Sequence, residues 1–195
     1  AVAELASIAR DHGAYTVVDT VATLGGVEFR TDDWGVDVVY AGSQKCLSAP
    51  PGASPLTATE RAIEKVRTRD SPVRTWYLDL LDVWDYWRED PSYHHTGPIS
   101  TMYALREALR LVAEEGLEAR WERHRAVAGA IKAGIEAMGL SLAVDDAHWL
   151  PTLNAIATPA GVDPDAVIDT LLVDHGIEIV GGLGDLAGEI FRVGC

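Results

Sequence analysis

Two residues of opposite charge follow consecutive apolar segments and are the first candidates for chemistry in this sequence. Asp19 closes the apolar run at residues 15–19, and Lys45 lies a few residues past the second run, 36–42. A scarce lysine among glycine, serine and proline at the exit of a strand is a candidate nucleophile for a Schiff base. Because ligands of open α/β sheets bind at the carboxyl ends of the strands, both side chains can meet on one ligand.

Each of these residues also has a simpler interpretation when it is taken alone. An aspartate after a strand suits a turn or the N cap of a helix, and a loop lysine is usually solvated. Arg192 lies in a terminal apolar strand, where it either pairs with an anion or faces solvent, and its position alone favours solvent. The pairing of Asp19 with Lys45 is therefore more informative than any one residue.

Other chemical motifs are weaker. His94 and His95 are adjacent, but only Asp90 lies at a zinc-like offset, so we predict that the chain holds no metal. The glycines at 181–184 lack the spacing of a dinucleotide fingerprint and indicate a turn. Cys46 has no basic neighbour apart from Lys45 and indicates a small packed side chain.

The elements that must position these residues alternate between strands and helices. The runs at 15–19 and 36–42 are apolar on both faces, which is typical of interior strands in a helix-covered sheet. Residues 51–58 indicate a third strand, weakened by Pro55, and residues 59–69 a helix with Thr59 as its N cap. Further helices are predicted at 100–115, 117–138 and 163–175, and strands at 140–144, 153–159, 177–181 and 189–193.

The segment from residue 70 to residue 98 has no clear period and holds six of the aromatic side chains. Long aromatic loops are typically functional or interfacial. The alternation of elements changes after this segment and the helix that follows it. We therefore predict two domains, residues 1–116 and residues 117–195.

Composition excludes several classes of partner. The 195 residues include 30 acidic and 16 basic side chains, giving a net charge of −14, and 48% are hydrophobic. Such a chain is globular, and its charge repels nucleic acids and anionic membranes. The acidic excess with only three lysines fits a protein that stays soluble in high salt, and a GC-rich genome is an alternative explanation. With only two cysteines, we expect a cytoplasmic protein.

Four stretches of the sequence together resemble one family, the class V (fold type I) aminotransferases dependent on pyridoxal 5′-phosphate (PLP), in the alanine–glyoxylate branch. The most specific match is Ser43-Gln44-Lys45 followed by a Pro-Pro-Gly turn. The resemblance covers the whole chain, in the order and at about the spacing of the family. The matching stretches are VVDTVATLGGVEF, VDVVYAGSQKCLSAPPG, YHHTGPISTMYALREAL and the closing FRVG.

The resemblance implies an α/β fold in which residues 1–116 form part of the PLP-binding large domain, a mainly parallel sheet flanked by helices. Residues 117–195 would form an incomplete α+β small domain. The implied activity moves an amino group from alanine or serine to glyoxylate or a similar 2-oxo acid. We expect the chain to be the second half of a longer enzyme. It lacks the family's upstream phosphate loop and stacking aromatic, so alone it should bind PLP poorly and be inactive.

The resemblance also implies roles for individual residues. Lys45 would form the Schiff base and carry the proton, and Asp19 would pair with the ring nitrogen of PLP. Val21 would pack on the ring, Gln44 would reach the phosphate, and Arg192 would bind the substrate carboxylate.

Two further residues, Tyr93 and Thr96, match positions that reach the phosphate of the neighbouring subunit's cofactor. This match implies that the active site is completed by a homodimer.

Three alternatives stay open. A cysteine desulfurase or related lyase usually has a histidine where this chain has Gln44, and Cys195 lies outside the loop that such enzymes use. Transaminases for serine, ureidoglycine or aminoethylphosphonate are harder to separate, although the stretch from Tyr93 to Thr96 favours the alanine–glyoxylate group. An inactive fragment that keeps only the fold is the third.

Overall fold

The chain forms two units, each with its own small sheet, in a computed structural model that describes residues 1–88 and 93–195. The first unit comprises Ala1–Leu24 and Phe29–Leu111, and the second comprises Gly25–Glu28 and Val112–Cys195. The domain boundary that we placed before residue 117 remains a prediction. In the part of the chain that the structure describes, no helix combines the length and the apolar character needed to cross a membrane.

The first unit contains a three-stranded sheet in the order β1 (Val17–Asp19), β2 (Val38–Tyr40) and β3 (Leu56–Ala58). Strands β1 and β2 are parallel, and β3 runs antiparallel to β2. The parallel register places Asp19 opposite Tyr40, so both residues end their strands at the same edge of the sheet.

In the described residues the helices of this part of the chain are α1 (Val2–Asp11), α2 (Glu60–Arg67), α3 (Leu80–Tyr86) and α4 (Ile99–Glu115), the last of which continues into the second unit. Helix α2 begins as predicted, because the Thr59 hydroxyl accepts a hydrogen bond from the Ala62 amide at 3.3 Å. Helix α3 lies in the segment without a clear period, since seven residues are too few to establish one. The Asp79 carboxylate caps it by accepting from the Leu81 amide at 3.0 Å.

Within the part of the protein that this chain spans, β1 differs from the interior strand that the sequence predicts. Val39 of β2 is buried, whereas Val17 of β1 is 64% exposed. The physical reason is the strand order, which leaves β1 at the edge of this sheet. Val18 packs with Ala6 of α1 and Val36 in a buried cluster, so β1 is covered on one face only.

The second unit packs helices against an antiparallel sheet in the order β4 (Leu153–Ala157), β6 (Ile190–Gly194) and β5 (Val180–Gly181). Its core contains Ile135, Ile156 and Phe191. The strand predicted at 140–144 is reduced to a single bridge between Leu142 and Ile156, after which the chain turns into a short 3-10 helix. The elements are α5 (Leu117–Ala137), β4 (Leu153–Ala157), α6 (Pro164–His175), β5 (Val180–Gly181) and β6 (Ile190–Gly194).

An ion-pair cluster lies where α4 ends and α5 begins. Glu115, the last residue of α4, accepts from the guanidinium groups of Arg123 and Arg120, the latter at 2.7 Å. Gly116 connects the helices with a φ of +82°, a conformation that residues with a Cβ rarely adopt. The hydrogen bond from Arg123 is the main reason that the pKa of Glu115 is lowered to about 2; together with the bond from Arg120 it outweighs the opposing effect of burial.

We predict that Glu115→Gln lowers stability at neutral pH and has progressively less effect in acid. The folded-state pKa lies below the ordinary value of 4.5, so the carboxylate contributes stability above about pH 4.5 that is lost as the pH falls toward 2. Urea unfolding midpoints of both proteins should therefore differ at pH 7 and converge near pH 2–3. Glu122→Gln, an exposed neighbour without an ion pair among the described residues, is the control. A difference that stays constant with pH would contradict the prediction.

Candidate active site

The carboxyl-terminal ends of β1 and β2 bring Asp19 and Tyr40 together. The Asp19 Oδ2 atom accepts a hydrogen bond from the Tyr40 hydroxyl at 3.0 Å. Its Oδ1 atom accepts from the Val21 amide at 2.7 Å, so each carboxylate oxygen has one donor. The hydrogen bond to Asp19 is the main reason that the pKa of Tyr40 is raised above its ordinary value. The result is an exposed carboxylate whose orientation is held from two sides.

The loop that carries Lys45 is built on a buried serine. The Ser43 hydroxyl donates to the Pro50 carbonyl at 2.6 Å, and its amide donates to the Ala53 carbonyl at 3.1 Å. Next along the loop, the Ser48 amide donates to the Lys45 carbonyl at 2.8 Å in a turn where Ser48 has a φ of +60°. These bonds tie the two arms of the loop together and leave Lys45 exposed at its tip.

Apolar packing holds the same loop against helix α4. Leu47 and Ala49 are buried in a cluster with Leu105 and Ala108 of the helix, and Leu24 packs against it. Because Ser43 before Lys45 is held by a hydrogen bond and Leu47 after it is buried, the position of the Lys45 backbone is defined. In the described residues, no hydrogen bond or ion pair engages the Lys45 amine.

Gly42 explains how Val21 and Gln44 come together near the ends of the strands. A Cβ at Gly42 would lie 2.9 Å from the Gln44 Oε1 atom and 3.3 Å from the Val21 Cγ1 atom. The absence of a side chain at Gly42 therefore lets Gln44 and Val21 approach the same point. Val21 is thus hydrogen-bonded to Asp19 through its amide, and its side chain lies beside Gly42, as does that of Gln44.

Tyr93 and Thr96 form their own exposed pair. Their side-chain oxygens lie 2.7 Å apart in a hydrogen bond, and Tyr93 is 73% exposed. In residues 1–88 and 93–195, no hydrogen bond links this pair to Asp19 or Lys45. The structure therefore does not bring this pair into the hydrogen-bond network of Asp19 or Lys45.

Two histidines, His94 and His95, separate Tyr93 from Thr96 in the sequence, and His94 packs against Trp76. The ring of His94 is buried and stacks on Trp76 with the centroids 4.2 Å apart. Its Nε2 atom lies 3.1 Å from the Trp76 carbonyl, and its Nδ1 atom lies 2.7 Å from Nδ1 of His95. Asp90, the acidic residue considered with them in the sequence, lies outside the described residues.

Arg192 belongs to the second unit, in β6 between β4 and β5. Its Nε atom donates to the Gly181 carbonyl at 2.7 Å, and the side chain is half-buried. The solvent-facing position that the sequence alone favoured is therefore replaced by a hydrogen bond to the neighbouring strand. Its two terminal nitrogens make no hydrogen bond to the described residues and remain free to bind an anion.

Two residues of this arrangement, Tyr40 and Ser43, had no assigned role in the sequence analysis. A weak signal for Tyr40 was present, because it lies two residues before the end of the second apolar run, whereas Asp19 ends the first. Ser43 belongs to the motif around Lys45, but only the folded loop shows that its hydroxyl is buried and bonded to Pro50.

Comparisons with known proteins identify the family of the chain. Residues 1–186 match the family described as aminotransferase class-V. The chain is 42% identical to (S)-ureidoglycine–glyoxylate transaminase of Bacillus subtilis (strain 168), covering 95% of this chain and 49% of that protein. It is 41% identical to alanine–glyoxylate aminotransferase of Callithrix jacchus, covering 91% and 44%. The chain thus spans about half the length of the curated relatives it matches.

The solved structures agree as well. The crystal structure of alanine–glyoxylate aminotransferase from Nostoc sp. superposes with a TM-score of 0.95 at 47% identity, over 100% of this chain and 52% of that one. The predicted resemblance and the predicted α/β fold are both confirmed. This chain belongs to the class V aminotransferase family.

Proposed function

We propose that this chain forms part of a PLP-dependent aminotransferase that moves an amino group from a small amino acid, alanine or serine, to glyoxylate or a similar 2-oxo acid. The observation that carries the proposal is the meeting of Asp19 with Tyr40 at the strand ends, beside a loop built to present Lys45. The names of the relatives support the acceptor, because those for alanine and for (S)-ureidoglycine both include glyoxylate.

The residues present suit PLP by their chemistry. PLP carries a basic ring nitrogen, an aldehyde and a phosphate, which require an acid partner, an amine and hydrogen-bond donors. Asp19 is the partner for the nitrogen, Lys45 the amine for the aldehyde, and Gln44 a donor for the phosphate. Val21 supplies an apolar contact for the ring. When bound, PLP supplies an electron sink that stabilises negative charge at the substrate Cα.

Lys45 is the proposed proton carrier. A primary amine in its neutral form can take the proton from the substrate Cα and deliver it to the C4′ carbon of the cofactor. Its side chain has no partner among the described residues, so it need not break an existing ion pair before it acts. The bonds of Ser43 and Ser48 hold the backbone of its loop in position for this step.

Asp19 is the proposed partner of the cofactor's ring nitrogen, and Arg192 is the proposed partner of the substrate carboxylate. A carboxylate opposite a ring nitrogen favours the protonated form of that nitrogen. The terminal nitrogens of Arg192 present two parallel donors, the geometry that suits the α-carboxylate of an amino acid. Because the Arg192 Nε atom is held by the Gly181 carbonyl, the guanidinium plane is oriented before substrate binds.

A homodimer completes the proposal. Tyr93 and Thr96 present two exposed hydroxyls that share a hydrogen bond, and the hydroxyl that accepts this bond would donate to the phosphate of the neighbouring subunit's cofactor. Exposed aromatic and apolar side chains occur in the same region, where contact with a second copy would remove them from water. They include Trp76, Tyr77, Leu78 and Trp87.

The proposal is tested by incubating the full-length protein that carries this chain with PLP, glyoxylate and one amino donor. Alanine, serine and (S)-ureidoglycine are compared, and glycine formed from glyoxylate is measured by mass spectrometry. We expect glycine to form with at least one donor, together with the 2-oxo acid derived from that donor. No glycine from any donor, in a protein shown to be folded, would reject the proposed function.

A further inference from the structure

Tyr40 is the one side chain, among the described residues, that donates a hydrogen bond to Asp19. The two residues are partners in the parallel register of β1 and β2, and the phenol oxygen lies 3.0 Å from the Asp19 Oδ2 atom. Within the described chain the hydroxyl has no second hydrogen-bond partner. A tyrosine 37% exposed that uses its hydroxyl only here is therefore committed to this carboxylate.

The two bonds on Asp19 have different origins. The bond from the Val21 amide is a main-chain contact two residues along, which any residue at position 21 except proline would provide. With that bond alone, the second oxygen has no fixed direction and the carboxylate can tilt about its Cβ–Cγ bond. The hydrogen bond from Tyr40 fixes the second oxygen and hence the plane of the group.

We propose that Tyr40 is a positioning residue of the cofactor site, whose hydroxyl holds the Asp19 carboxylate in the orientation that receives the ring nitrogen of PLP. This inference rests on the proposed function. The hydroxyl keeps its proton at neutral pH, because the adjacent carboxylate raises the pKa of the phenol. Tyr40 thus acts through Asp19 and takes no part in the proton transfers assigned to Lys45.

The test is a double-mutant cycle of Tyr40→Phe and Asp19→Asn in the full-length protein, with the Kd of PLP as the readout. Tyr40→Phe keeps the ring and removes only the donor. We expect it to raise the Kd about tenfold, the effect of losing a hydrogen bond to a charged group. In the Asp19→Asn background, the same substitution should change the Kd by less than about twofold, because the partner is already altered.

A second readout follows the ring nitrogen itself. With 15N-labelled PLP, the nitrogen should lose its proton at a lower pH in the Tyr40→Phe variant than in the unmodified protein, since a misoriented carboxylate stabilises the protonated ring less. A purely structural role for Tyr40 would leave this pH midpoint unchanged. The thermal midpoint of the cofactor-free variant shows whether it is folded.

Tyr15→Phe is the matched control. Tyr15 lies just before the first residue of β1, at the end of the strand away from Asp19, and it contacts the guanidinium of Arg61. It should leave both the Kd and the pH midpoint unchanged. An unchanged Kd in Tyr40→Phe, or an equal increase in the Asp19→Asn background, would overturn the inference. Failure of the unmodified protein to bind PLP would instead overturn the proposed function, and this inference with it.

Discussion

Replacing Lys45 by alanine should lower kcat/KM for transamination by at least about 10²–10⁴-fold, the contribution of one positioned acid–base group. Lys45 supplies a primary amine at the tip of the loop, and a neutral amine can move a proton at the substrate Cα. The hydroxyl of its neighbour Ser43 is already engaged with the Pro50 carbonyl. The measurement is the initial rate of glycine formation from glyoxylate by the full-length protein.

Two further variants distinguish the role of Lys45 as a base from the effect of its positive charge. Lys45→Arg keeps a cation in the loop but cannot act as a base at neutral pH, so it should be as inactive as the alanine variant. Lys65→Ala removes an exposed lysine from α2 and should retain the full rate. Rates for Lys45→Ala equal to those of the unmodified protein would reject the proposed role of Lys45.

The parts of this fold that the sequence predicted are those determined by local signals. Thr59 before a helical period predicted the start of α2, and a hydrogen bond to the Ala62 amide confirms it. The end of β1 at Asp19 was predicted because the apolar run stops there, whereas the second run was predicted to reach residue 42, two residues past the end of β2. Such signals depend on a few neighbouring residues, so they do not require knowledge of how distant segments pair.

The parts that were missed depend on pairing between distant segments. The bond between Tyr40 and Asp19 requires the register of two parallel strands, which no residue near either position reveals. The exposure of Val17 depends on β1 being the outer strand of its sheet, which is a property of strand order. The segment containing Leu142 was predicted as a strand from its apolar pattern, but only one bridge to β4 forms.

The candidate site shows the same division. Lys45 and Asp19 were identified by residue type and position, and Gln44 by the resemblance. The structure adds that Ser43 supports the loop of Lys45 and that Gly42 leaves room for Gln44. The roles of the site residues remain predictions that the variants above test. Arg192 illustrates what sequence cannot give, since its bond to the Gly181 carbonyl follows from the pairing of β5 with β6.

An ion pair with a buried carboxylate lies at the opposite end of the first sheet. Asp37, directly before β2, is 2% exposed and accepts from one terminal nitrogen of Arg61 at 2.8 Å on both carboxylate oxygens. The Thr16 amide also donates to it at 3.0 Å. Burial opposes the charge of Asp37, but the bonds from Thr16 and Arg61 outweigh it and lower its pKa.

Arg61→Ala should therefore reduce the free energy of unfolding by about 3 kcal/mol, the lower end of the cost of breaking a buried pair. The loss is at the lower end because Thr16 still donates to the carboxylate. Asp37→Asn should cost less, since it leaves a guanidinium that is a third exposed and still bonded to the Ala14 carbonyl at 2.8 Å. Urea unfolding of both variants at pH 7 gives the comparison.

The dependence on pH identifies the cause of that loss. In the unmodified protein the Asp37 carboxylate contributes stability above its ordinary pKa of 3.8, which is lost as the pH falls through the lower folded value. Without Arg61 the desolvated carboxylate binds a proton more readily, so the stability gap between the two proteins should narrow between pH 7 and pH 4. Arg61→Lys keeps the charge and should lose less than Arg61→Ala. A gap that is independent of pH would show that lost packing against Tyr15, rather than an unpaired Asp37, causes the destabilisation.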